Sequence, residues 1–317
     1  MQHPIGKIFT ALLLAVPLAV CASALKFDAK SEAAIDQLYQ RVQQHDAAAL
    51  EELKQQAERG DALAQDRMAL AFIQGNGVKQ DYGQAHEWLK RAAEQGYSWA
   101  AFRLGFMYGE GLGAERDAAQ ARDWYQRAAE LGNISAAYNL AQRYLSGQEA
   151  ERNPAQAAKW FEQAAQGGLA AAQLNLGNLY ENGTGVTKNY ATAARWYQAA
   201  VAQNNAKAML GLGMLYEAGQ GVAKDEARAR ELYQRAVDLG EAGGMQLIGG
   251  LYEFGHGVAQ DNARALEWYR KSAEAGHWPA AGRISNAYKF GELGLSKDKK
   301  LEDEWYQKYI QLQIQKH

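Results

Sequence analysis

The residue types that carry chemistry are sparse in this 317-residue sequence and poorly placed for it. Beyond the first stretch of chain the histidines are His45, His86, His256, His277 and His317, spread over distant segments. A zinc-type site needs several such ligands to converge. Only His256 and His277 are placed to lie near each other, and as loop residues they read as surface. The glycine-rich "GEGLG" at 109–113 could cradle a phosphate, but it follows a helical pattern and no "GK[ST]" accompanies it. The same loop returns as "GNGV", "GTGV", "GQGV" and "GHGV", which makes it framework. No HExxH pair and no G-x-S-x-G elbow occurs. The acidic pairs Glu51–Glu52 and Asp303–Glu304 are neighbours on helices, so their carboxylates diverge. No catalytic residue, metal ligand or cofactor is therefore expected, and the chain does not read as an enzyme. What remains is recognition, and the residues for it depend on the elements that display them.

Those elements repeat. Trp88, Trp124, Trp160, Trp196, Leu232 and Trp268 stand 36 residues apart, and Trp305 follows after 37. Phe72, Tyr108, Tyr144, Tyr180, Tyr216, Tyr252 and Tyr288 keep the same step. Seven units run from about 61 to 313, each of two helices. In the unit from 169, Ala172, Leu176, Leu179 and Tyr180 share one helical face. "GTG" ends that helix: Gly183 suits its left-handed closing residue, and Gly185 lets the chain turn and pass close to a neighbour.

The second helix of each unit follows Asp81, Asp117, Asn153, Asn189, Asp225, Asp261 or Asp298, all good N-caps. Pro154 belongs at a first helical position. Gly60, Gly96, Gly132, Gly168, Gly240 and Gly276 close these helices, with Asn204 as the usual substitute. Ala64, Ala100, Ala136, Ala172, Ala208, Gly244 and Ala280 keep one position small, which lets helices approach while Trp and Tyr rings fill the space beside them. One pair cannot bury its apolar stripe alone, so pairs must stack. The expected fold is all-α: a right-handed superhelical solenoid of antiparallel helix pairs.

The pattern A-x-A-x-x-x-L-G-x-x-Y-x-x-G-x-G-V, followed by a capped A-x-x-W-Y-x-x-A-A helix, resembles the Sel-1-like repeat family, relatives of the tetratricopeptide repeat. The third unit departs at "SGQEAERNP", which lacks the second loop glycine, and the seventh inserts one residue in "GELGLSKD". The resemblance implies that the first helices line a concave face, which would serve to bind protein. Some secreted relatives linked to penicillin binding are cysteine-rich, with a disulfide in each repeat. Here the one cysteine, Cys21, precedes the repeats.

The ends and the bulk composition complete the reading. Residues 1–24 combine Lys7, the apolar run "IFTALLLAVPLAV" and "ASA", the layout of a secretory signal peptide cleaved after Ala24. "LAVC" offers a competing lipid anchor on Cys21, although the residue before it, Val20, is larger than such sites favour. Residues 25–60 read as N-terminal capping helices and 314–317 as a tail. The expected location is the periplasm. A formal charge of −2 gives no global case for nucleic acid or an anionic membrane. The protein is expected to be a monomer with one protein partner, either an envelope component or an incoming effector, and with no membrane insertion.

The stripe of each first helix opposite its stacking face is free to vary. In the second unit it gathers Trp99, Phe102, Arg103 and Phe106; in the third and fourth, Tyr138, Asn139, Gln142, Asn175 and Asn178. Trp, Tyr and Arg are common interface anchors, and amides suit an extended partner. A packing role for Phe102 and Tyr138 competes with this. The resemblance implies two functions by one mechanism: immunity protein against a periplasm-acting toxin, such as a type VI secretion phospholipase effector, or adaptor in an envelope complex for motility, polysaccharide export or signalling. Penicillin binding or hydrolysis is the third and weakest reading.

Overall fold

A computed structural model describes residues 29–147 and 152–315. Residues 1–28, which include the expected leader at 1–24 and Cys21, residues 148–151 and the last two residues lie outside that description. Among the described residues there are helices and no strands. The chain divides into two compact units, 1–137 and 138–317.

The first unit holds α1 (Ala29–Gln43), α2 (Ala47–Glu58), α3 (Ala62–Gln74), α4 (Tyr82–Glu94), α5 (Ser98–Glu110) and α6 (Ala118–Glu130). The boundary falls inside α7 (Ile134–Ser146). The second unit continues with α8 (Pro154–Gln166), α9 (Ala170–Asn182), α10 (Tyr190–Val201), α11 (Ala206–Ala218) and α12 (Glu226–Asp238). It ends with α13 (Ala242–Phe254), α14 (Asn262–Glu274), α15 (Trp278–Phe290) and α16 (Lys299–Ile314). Within each unit consecutive helices, joined by short turns, pack against one another as antiparallel pairs.

The caps stand where the sequence puts them. All seven Asp or Asn residues that open the second helices accept from the backbone N–H three positions on, at 2.9–3.1 Å. Gly183 closes α9 at φ +71°, and Asn204 takes φ +58° where other repeats have glycine. Gly185 is needed for space as well as for its φ of +74°: a Cβ there would lie 2.2 Å from the Pro154 carbonyl oxygen.

The core differs from the expectation in one respect. After Trp88, Trp124, Trp160, Trp196 and Trp268 the next residue is buried more deeply than the tryptophan itself, whereas at the end of the chain Tyr306 is exposed beside a half-buried Trp305. Tyr197, Tyr233 and Phe161 are fully buried, whereas Trp124, Trp196 and Trp268 keep part of their surface exposed. The reason lies on the first helix. A Cβ on Gly177 would come within 2.5 Å of the Tyr197 ring, and one on Gly213 within 2.4 Å of Tyr233. The glycine of each "LG" is the seat of that ring. The Tyr197 ring also reaches the next repeat, where a Cβ on Gly211 would lie 2.9 Å from it. One side chain thus packs two first helices at once.

Candidate partner-binding surface

In the first unit the structure does bring Trp99, Phe102, Arg103 and Phe106 together on α5. It uses much of the group internally. Phe102 is buried and packs on Trp99 edge-on at 5.7 Å and on Tyr125 at 5.6 Å. Arg103 is only 8% exposed. Its Nη1 donates to Asp66 Oδ1 at 2.5 Å, and its guanidinium lies 5.6 Å from the Trp99 ring centre. Asp66 is fully buried and also accepts from Arg67 at 2.6 Å, while Arg67 Nε donates to Asp36 of α1 at 2.8 Å. Four charged groups therefore tie α1, α3 and α5 together. A buried carboxylate is tolerated only with such partners. Tracing variable positions by a 36-residue step passes over this network, because Asp66 is 37 residues from Arg103 and stands one place off the traced stripe. Trp99 and Phe106 remain half-buried.

In the second unit Tyr138, Asn139, Gln142, Asn175 and Asn178 come together on α7 and α9. Gln142 and Asn178 are exposed; the other three are half-buried. The Tyr138 ring packs on Phe161 at 5.7 Å, and its hydroxyl accepts from Gln142 at 2.8 Å and from Asn175 at 3.4 Å. The amide of Asn178 meets the Tyr197 hydroxyl at 2.6 Å. The packing role and the display role of Tyr138 thus fall on different ends of one side chain.

A second pattern links tyrosines and glutamates across the two helices of a repeat. The Tyr197 hydroxyl donates to Glu181, that of Tyr233 to Glu217 at 2.8 Å, and that of Tyr269 to Glu253 at 2.6 Å. Each bond spans 16 residues and joins the two helices of one repeat. The signal was a thrice-repeated "LYE" at a 36-residue step. Burial first, then the adjoining carboxylate, pushes all three phenols well above their ordinary range. Two of the carboxylates also reach the following repeat: Glu217 meets His256 Nδ1 at 2.8 Å, and Glu253 pairs with Arg283. His256 is therefore engaged by an acid. Among the described residues no group of three or more His, Cys, Asp or Glu could hold a metal ion. No described helix is long and apolar enough to cross a membrane.

The Sel1 repeat model matches residues 62–97, 100–133, 134–169, 170–205, 206–241 and 243–277. The pair α15–α16 follows the last of these matches with the same capped two-helix design. A protective antigen of uropathogenic Escherichia coli displaying an SLR fold is 34% identical, with a TM-score of 0.63. That match covers 83% of this chain and 64% of the antigen, so the chain spans less than two thirds of that relative's length. A Sel1 repeat protein from Oxalobacter formigenes is 33% identical over 76% of this chain and 96% of its own, with a TM-score of 0.65. An immunity protein from Pseudomonas aeruginosa is 23% identical over 79% of this chain and 81% of its own, with a TM-score of 0.34. No curated protein matches the sequence. The chain belongs to the Sel1 repeat family.

Proposed function

We propose that this Sel1-repeat chain acts by holding one protein partner stoichiometrically, without catalysis, on the exposed face of its first helices. The observation that carries the reading is the cluster of neutral amides around Tyr138. Gln142 and Asn178 are exposed, and neither occupies a position that helix stacking dictates. Side chains kept polar, uncharged and ordered on a repeat scaffold serve recognition better than solubility, for which charge is the usual device. Trp99 and Phe106 offer part-exposed rings on the first unit, and aromatic rings are common anchors of protein interfaces.

The narrowest form of the proposal is an exported immunity protein, acting in the periplasm against a secreted toxin that attacks the envelope. Adaptor function in an envelope complex uses the same surface with a resident partner. One experiment addresses both. The chain is purified, used as bait on envelope extract, and the captured proteins are identified and re-tested as purified pairs for 1:1 binding. A toxin whose killing is blocked by the chain establishes immunity. A resident envelope protein establishes the adaptor form. Failure of every purified pair to bind overturns the proposal.

A further inference from the structure

We infer that the outer face of α16 is the contact through which two copies of this chain pair, antiparallel about a two-fold axis, in place of the single copy expected from the sequence. It is a different surface from the first helices that would hold a partner, so either can fail without the other.

Position within the repeat points to this face. The eighth residue after each N-cap is Leu89, Tyr125, Phe161, Tyr197, Tyr233 or Tyr269, and all six are at most 4% exposed. The counterpart in α16, Tyr306, is 50% exposed. The twelfth residue after the cap faces the same way: a Cβ on Gly244 of α13 would lie 2.9 Å from Val237. Its counterpart is Ile310, and one turn on stands Ile314, 70% exposed. In earlier repeats the following first helix covers these positions, as α11 covers Tyr197 at Gly211. Among the described residues nothing takes that part for α16, which has no buried side chain.

The face is ordered and apolar. On the inner side Leu301, Trp305, Tyr309 and Leu312 pack on the core of the last repeat. Tyr306 stacks on Tyr309 at 5.8 Å, and Tyr309 meets Trp278 edge-on at 5.3 Å. A helix that closes a repeat stack against water is normally polar on its outer side. The other end obeys this rule: α1 exposes Ala33, Ala34, Gln37, Gln40 and Arg41, and no large apolar side chain.

A second copy fits by geometry and by charge. Asp303, Tyr306, Ile310 and Gln313 share one side of the helix. Turning a copy end for end beside residue 308 sets Tyr306 against Ile310 of the second copy, and Asp303 against its Gln313, each twice. The apolar pairs are then central and the polar pairs lie at the rim, as in protein interfaces generally. Lys299 donates to one carboxylate oxygen of Asp303 at 2.9 Å, which leaves the other to accept from Gln313. Lys299, Lys300 and Lys308 balance Glu302, Asp303 and Glu304, so two such helices do not repel. A head-to-tail stack would instead set Tyr306 and Ile310 against polar α1, and it would not close.

The test is sedimentation velocity on the full chain. One helix per copy makes a small interface, so a dissociation constant on the order of 10 µM is expected. Tyr306→Lys with Ile310→Lys should weaken pairing roughly tenfold or more, with helix content unchanged by circular dichroism. Register is read separately in a Cys21→Ser background, which removes the one native cysteine. Asp303→Cys and Gln313→Cys proteins, mixed under mild oxidation, should cross-link to each other, and neither should cross-link alone. A chain monomeric at about 100 µM, well above the expected constant, overturns the inference. So does a dimer indifferent to both lysines, a disulfide between two copies of Asp303→Cys, or oligomers that keep growing with concentration. A monomer that loses a captured protein on Tyr306→Lys also overturns it, and gives the face to a helix of that protein.

Discussion

Tyr197 and Glu181 lie on the two helices of one repeat, and the phenol donates to the carboxylate at 2.5 Å. The ring is fully buried while the hydroxyl tip reaches the partly exposed acid. Tyr233→Phe, at the equivalent bond in the next repeat, isolates the value of that contact. It removes one donor from Glu217 and leaves the ring in its seat. A loss of about 1–3 kcal/mol is expected, the cost of a partly buried acceptor deprived of its partner. Urea denaturation of the two proteins measures it, and a change indistinguishable from zero would show the bond to be idle.

The same tyrosines set an alkaline limit. Their folded-state pKa values are raised above the ordinary 10.0 by burial and by the neighbouring carboxylates. The unfolded chain therefore loses its phenolic protons first. The stabilisation is fully present below about pH 10 and declines as pH rises beyond it. The triple change Tyr197→Phe, Tyr233→Phe and Tyr269→Phe should flatten the fall in melting temperature between roughly pH 10 and 11.5. An unchanged slope would mean that other groups govern alkaline unfolding.

His86 acts at the other end of the scale. It is buried edge-on against Tyr108, and burial lowers its pKa below the ordinary 6.5. The unfolded state then binds the proton more readily, so stability is present above about pH 6.5 and lost as pH falls through the folded value. His86→Leu should make melting temperature less sensitive to acid in that window, as calorimetry at successive pH values would show.

Arg103 should be a stability residue first. Replacing it with alanine takes one of two cations from the fully buried Asp66. A loss of about 3–5 kcal/mol is expected, typical of breaking a buried pair. Trp99→Ala at the half-buried edge should cost less. If Arg103→Ala melts like the parent chain, water must reach Asp66.

Caps and core separate by size. Asp117→Ala and Asp225→Ala should each cost on the order of 1 kcal/mol, the price of a lost N-cap acceptor. Trp160→Ala, at a site 4% exposed, should cost about 3–5 kcal/mol through the cavity it leaves. Equal losses would contradict the packing described.

The fold was legible because period, caps and helix-closing glycines all repeat, so each position was read several times. Asn204 in the left-handed region and the seven capping side chains were visible in this way. The surface was less legible. Arg103 looked free because the repeat leaves its position open, yet a single acid one place out of register claims it. Contacts peculiar to one junction leave no trace in a period. The Tyr–Glu bonds do follow the period, but their partners stand 16 residues apart on two different helices, a spacing that no single-helix pattern displays.

The Tyr197 ring sits over Gly211, where a side chain would collide at 2.9 Å. The same phase one repeat later holds Leu247, which packs in the cluster around Tyr233. Excising 206–241 would keep every helix in register and still bring Leu247 against Tyr197. The repeats are thus alike in pattern but not interchangeable: each junction is cut to its own neighbour, so their order along the chain is itself encoded, and shuffling them would yield helices that form but do not fit.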